Sequence, residues 1–169
     1  MRLYAGQIAA IAAEVVRSLL ASKDIEASSA RDVEADVSAV LHQYLADERS
    51  VNERAKDVLE RTGKSQGDYS RVRALVADEK GIKVGDDAID YLLDQVVQML
   101  MSSNHVEEVF VEDIELRRKM SPIFKKHMSA DSSVDADVRA QLRHLHEGTR
   151  EWEIEYERVL TQVKRRKGL

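Results

Sequence analysis

The sequence has no cysteine, one proline, seven glycines and only 5% aromatic residues in 169 positions. The absence of cysteine removes disulfides, thiolate catalysis and zinc ribbons together, and fits a reducing compartment. So little proline, glycine and aromatic content leaves scant turn chemistry for a sheet protein. Positive charge is not in excess: 26 Lys and Arg stand against 31 Asp and Glu, a net charge of −5. Non-specific grip on nucleic acid or an anionic membrane needs a positive field, so only a local basic patch is left for such contacts. Long apolar runs are missing too. The uncharged stretches 3–13 and 95–106 fall well short of the ~20 residues of a membrane helix. The opening Met1–Ala13 faintly mimics a signal peptide, but Glu14 follows at once and the apolar spacing continues past it, so it reads as the first helix of the fold. What remains is a soluble composition, 43% apolar and 34% charged, in a chain long enough to bury roughly 70% of its unfolded surface. The expectation is an all-α cytoplasmic protein.

The stretch that organises the chain is the first helix. Its apolar residues Ile8, Ile11, Ala12, Val15, Val16, Leu19 and Leu20 make the stripe of an amphipathic helix with one buried face. A second helix starts at Ser29, with Asp32 three residues on as a capping-box-like partner. Its stripe is Val33, Val37, Val40, Leu41, Tyr44 and Leu45. A third opens on Ser50-Val51-Asn52-Glu53, a better capping box. Gly63 and Gly67 bracket a turn, and Tyr69, Val72 and Val76 mark a shorter fourth helix stopped by Gly81.

The same reading then repeats. Ile89, Leu92, Leu93, Val96, Val97, Leu100 and Met101 match the first stripe at a constant offset of 81. Leu116, Met120, Ile123, Phe124, His127 and Met128 match the second at 83, and Ser133, Val134, Leu142, Trp152 and Val159 keep that offset. A two-residue adjustment falls near Val109-Phe110-Val111; inside a helix it would swing the stripe by about 200° and bury charges. The pattern predicts a tandem duplication of a roughly four-helix unit packed into one compact helical protein, with repeats at 1–81 and 82–169. The second ends in a basic tail. Half-size relatives would then be homodimers and this chain a fused pseudo-dimer. Pro122 falls inside the second copy of helix two, where it removes a backbone hydrogen bond. A helix restart with Ser121 as N-cap, or a marked kink, is expected there.

Several stretches carry a resemblance. Met1-Arg2-Leu3, the Val-Val-rich first helix and the segment 148–156, Gly-Thr-Arg-Glu-Trp-Glu-Ile-Glu-Tyr, resemble a bacterial family catalogued as domain of unknown function five hundred and seven. Its half-length members carry one such unit and end in a Trp-centred helix followed by basic residues. The resemblance implies a helical fold and a cytoplasmic bacterial protein. It implies no activity, cofactor or substrate.

No constellation of base, nucleophile and electrophile can be named, so the chain is expected not to be an enzyme. His144 and His146 point about 200° apart on a helix and cannot share an ion. His127 occupies a core-facing slot equivalent to Tyr44, and His42 and His105 lack a partner at useful spacing. The densest acidic cluster, Glu107, Glu108, Glu112, Asp113 and Glu115, reads as a solvated face or a surface for a basic partner; Glu112 and Glu115 have di-metal spacing but no His. No phosphate loop follows Gly63 and Gly67. No cofactor or metal is expected.

Two features are left as possible partner contacts. Lys164, Arg165, Arg166 and Lys167 form the one basic run, either complementing a helix C-terminus or touching phosphate. Trp152 and Tyr156 face together one turn apart, while Ile154 points elsewhere. Trp152 either caps its repeat's core, as Tyr69 does, or belongs with Ile154 to a contact surface. The leading expectation is a protein–protein interaction module of unknown partner. Nucleic-acid or ribonucleoprotein binding through the tail is the alternative. A third reading is a small apolar ligand between helix one and its copy, lined by Met99 and Met101.

Overall fold

Residues Ile8–Ala21 form α1, which buries Ile8, Ile11, Ala12, Val15, Val16 and Leu19 along the predicted stripe. The computed structural model describes residues 2–130, 132–146 and 149–167, with the side chains at 130, 132, 133, 153 and 167 left out of the description. Met1 and Gly148 of the family-like stretches, and the side chain of Lys167, therefore lie outside the described residues. After α1 the chain turns through Lys23, at φ 58°, into a two-residue strand β1, Ile25–Glu26. This strand pairs antiparallel with β2, Glu108–Val109, placing Ile25 opposite Val109 and Glu26 opposite Glu108. The pairing needs no tight turn, because its two strands lie far apart in the chain. Scarce glycine and proline therefore did not prevent it.

Helix α2 spans Ala30–Thr62, 33 residues, roughly 50 Å of continuous helix. The Ser29 hydroxyl accepts from the Asp32 N–H at 3.3 Å, the predicted N-cap. The separate helix expected from Ser50 does not form. Val37, Leu41, Tyr44, Glu48, Val51, Ala55 and Leu59 are all buried at spacings of three and four, so the stripe stays in phase and nothing forces a break. Ser50 instead accepts a hydrogen bond from Lys80. Gly63, at φ 64°, ends α2 in the left-handed conformation that glycine adopts without strain. Helix α3, Tyr69–Lys80, stops likewise at Gly81.

Helix α4, Ala88–Ser102, repeats the α1 stripe through Leu100, while Met101 is exposed. Helix α5, Asp113–Ala130, runs through Pro122, so the restart expected at Ser121 does not occur. Pro122 faces solvent, where water can take the carbonyl that its missing N–H leaves unbonded. Helix α6 spans Ser132–Gln141. The last helix is α7, Arg150–Lys167.

The central core joins α1, the first half of α2, α4 and α5, with Leu3 from the N-terminal segment. Here α1 packs on α2 and α5, and α4 on the same two helices. Two smaller cores project from this centre. One joins the second half of α2 to α3 and takes Ile82; the other joins α6 to α7 and takes Tyr4. The result is an all-α protein with a four-helix centre and two helical arms. Among the described residues, no helix is long and apolar enough to cross a membrane.

Candidate functional site: the cleft between the arms

The N-terminal segment enters as extended chain, so alternate side chains take opposite faces. Leu3 drops into the central core, whereas Tyr4 joins the α6–α7 core. The turn is held by Gln7, which accepts from the Tyr4 N–H at 3.0 Å and donates to the His127 carbonyl at 2.6 Å. Arg2 is thereby laid over two aromatic faces, 5.5 Å from the Tyr4 ring centre and 5.7 Å from that of Tyr156. Burial opposes its charge, but Glu48, Tyr156, Tyr4 and Asp135 outweigh that cost and raise its pKa.

On the α6–α7 side, Trp152 and Tyr156 lie one helical turn apart and stack at 4.9 Å and 27°. The Tyr156 and Tyr4 hydroxyls are 2.7 Å apart, and both donate to one oxygen of Asp135. Arg139 donates to the other oxygen at 2.8 Å and lies 5.5 Å from the Trp152 ring centre. Burial pushes the Tyr4 phenol up to about 12 and also raises Tyr156. Burial would raise Asp135 as well, but its bonds from Tyr156, Arg139 and Tyr4 outweigh that and lower it. The network thus holds two neutral donors on one ionised acceptor. Lys164 extends from α7 to 5.4 Å from the Tyr4 ring centre.

On the α2–α3 side, Glu48 occupies a stripe position yet carries charge. Its carboxylate meets Arg73 at 2.8 Å, and Arg73 also donates to Asn52 at 2.7 Å. Arg49 and Lys56 follow along the same wall of α2. Between the two walls lies a cleft of about 640 Å³, floored by the N-terminal segment, beside a smaller pocket of about 180 Å³ reaching Asp135. Six cationic side chains and three acidic ones line the larger space. In a chain of net charge −5 this is a positive island.

The family described as Protein of unknown function (DUF507) matches residues 1–169. The chain belongs to this family. No curated protein matches it.

Of the residues singled out in this DUF507 sequence, Trp152 and Tyr156 are buried between the α6–α7 core and the cleft, and Lys164 reaches the cleft from two turns further on. Ile154 is 60% exposed on another face, and Arg165 and Arg166 are exposed near the end of α7. Among the described side chains of the basic run, only Lys164 lines the cleft, while Arg165 and Arg166 lie outside it. Met99 sits at the edge of the central core and Met101 is exposed. The acidic residues Glu107, Glu108, Glu112, Asp113 and Glu115 are exposed. His127 is partly buried and bonds through Nε2 to Glu14 at 2.6 Å. His105 finds Asp36 of α2 at 2.8 Å, a partner 69 positions away that spacing rules do not reach. Burial works against the Asp36 charge, yet Ser103 and His105 outweigh it and hold the carboxyl low. Among the described residues, no three His, Asp or Glu side chains come together as a metal site would require.

Sequence reasoning missed Arg2, Tyr4, Asp135 and Arg139, which acquire meaning only when the N-terminal segment crosses to α6 and α7. Glu48 did leave a signal. It stands four residues after Tyr44 and three before Val51, a carboxylate on an otherwise apolar stripe that must find a cation once buried.

Proposed function

We propose that this protein is a non-catalytic, cytoplasmic binding module that holds its ligand in the cleft between its two arms. The observation that carries this reading is the gathering of six cations from five segments of the chain into one concave space of an acidic protein. Concavity and convergent polar groups are the usual marks of a binding site. A second reading is a protein contact outside the cleft. Phe110 and Ile114, 59% and 71% exposed, stand among the acidic residues at the start of α5, where an apolar and basic partner would fit.

One comparison separates the two. Tagged protein is recovered from its own host as wild type, as Lys56→Glu/Lys164→Glu, and as Phe110→Ser/Ile114→Ser. The cleft pair is expected to lose the co-purifying ligand or partner at least tenfold, with the Phe110/Ile114 pair keeping it. The opposite pattern moves function to the acidic surface.

We also infer that the chain is a doubled half-size unit forming a pseudo-dimer. The β1–β2 pairing supports this, because the strand that follows α1 pairs antiparallel with the strand that follows α4, as a two-fold axis between the halves requires. Helix starts agree, with Asp113 of α5 lying 83 residues after Ala30 of α2. Residues 1–81 expressed alone are expected to sediment as a helical dimer. A folded monomer, or an unfolded chain, would count against the duplication.

A further inference from the structure

Resting on the cleft as the binding site, we propose that it takes an oligophosphate, either free or carried by a nucleotide. Its volume of about 640 Å³ suits a ligand of a few tens of atoms rather than a folded partner. The cations stand on both walls and on the floor, with Arg49 and Lys56 on α2, Lys164 on α7 and Arg2 between them. A single phosphate carries too little charge to match four cations placed on both walls and the floor. A chain of phosphates carries enough charge and length to engage both.

The aromatic rings do not make this a cation-binding box. Arg2, Arg139 and Lys164 already lie over the Tyr4, Tyr156 and Trp152 faces, at 5.4–5.7 Å from the ring centres. Those rings act as platforms that hold positive groups in place, which lowers the ordering cost of binding an anion. The Arg2 guanidinium keeps its proton in this partly buried position. Guanidinium and ammonium groups are also the donors that phosphate oxygens use best.

Trp152 lines the cleft and is the chain's single tryptophan, so its fluorescence reports occupancy without a label. In low salt at pH 7, sodium tripolyphosphate and ATP are each titrated into full-length protein, with adenosine, orthophosphate and a single-stranded oligonucleotide as comparisons. Tripolyphosphate and ATP are expected to change Trp152 emission with Kd values within threefold of each other and at least tenfold tighter than orthophosphate, and adenosine to leave it unchanged. ATP binding more than tenfold tighter than tripolyphosphate would overturn the oligophosphate as the determinant. Lys56→Glu/Lys164→Glu is expected to weaken binding at least tenfold, and so is Arg49→Glu/Lys56→Glu, which spares the Tyr4 contact. Arg165→Glu/Arg166→Glu, at the exposed end of α7, is expected to change it less than twofold. The inference falls if neither oligophosphate perturbs Trp152 at millimolar concentration, or if the α7 pair weakens binding as much as the cleft pairs. It also falls if the oligonucleotide alone binds. That last result leaves the cleft as the binding surface, whereas loss of the host ligand only on the Phe110/Ile114 face removes the cleft itself.

Discussion

Phe124→Ala is expected to lower stability by about 3–5 kcal/mol, the cost of truncating a large aromatic in a packed core. Phe124 is fully buried, in a core built from α1, α2, α4 and α5. Because those helices come from both halves of the chain, no half can shed the damage by unfolding alone. Urea denaturation should therefore show one transition with a lower midpoint and an unchanged slope. Leu75→Ala serves as the control, since Leu75 is 58% exposed on α3 and should stay within about 0.5 kcal/mol of wild type. Two transitions, or a loss below about 1 kcal/mol, would mean that the halves do not share a cooperative core.

Lys119→Ala comes next, at about 3 kcal/mol, because it strands a buried carboxylate. Asp24 is 3% exposed at the end of α1 and is bonded by Lys119 of α5 and by Ser22. Burial alone would raise the Asp24 pKa, but the bonds from Lys119 and Ser22 outweigh it and lower the value. A carboxyl depressed in the folded state stabilises above its unfolded pKa of about 3.9. That contribution is lost as pH falls through the folded value. Without Lys119 burial prevails and raises the Asp24 carboxyl, so protonating it relieves the variant. The gap between wild type and variant is expected to start closing above about pH 4, as the raised Asp24 carboxyl of the variant takes up a proton, and to keep closing until pH falls through the depressed wild-type value, read from urea midpoints across pH. A pH-independent gap would assign the loss to packing of the lysine stem instead.

Much of the fold was legible because burial periodicity is a local property. The stripe from Ile8 to Leu20 placed α1, and Gly63 and Gly81 marked the ends of α2 and α3 through their left-handed conformations. The misreadings also share a cause. Ser50-Val51-Asn52-Glu53 has the residues of a helix start, but capping contributes about 1 kcal/mol. Eight in-phase buried positions along α2 outweigh it. Pro122 has the residue type of a break, yet it falls on the exposed side of α5 while Met120, Ile123 and Phe124 stay buried. In both places a local signal met a longer-range one, and packing prevailed.

The candidate site was half visible. Trp152 and Tyr156 stood out because aromatics are scarce here and one helical turn puts two of them on one face. Their partners could not be found by spacing. Tyr4 and Tyr156 share Asp135 across 152 positions of chain, and Arg73 meets Glu48 across 25.

From composition and periodicity alone, one could know that the chain is helical, which residues point inward, and that its surface is acidic overall. Those properties follow from each residue's own preference for water or for burial, summed along a helix. Where the positive groups gather was settled by the crossing of the N-terminal segment between two arms, which sets Arg2 near Lys164 although 161 residues separate them in the chain. Charge counts add along a sequence regardless of order, whereas an electrostatic field depends on distance, and distances between remote residues exist only once the helices have packed.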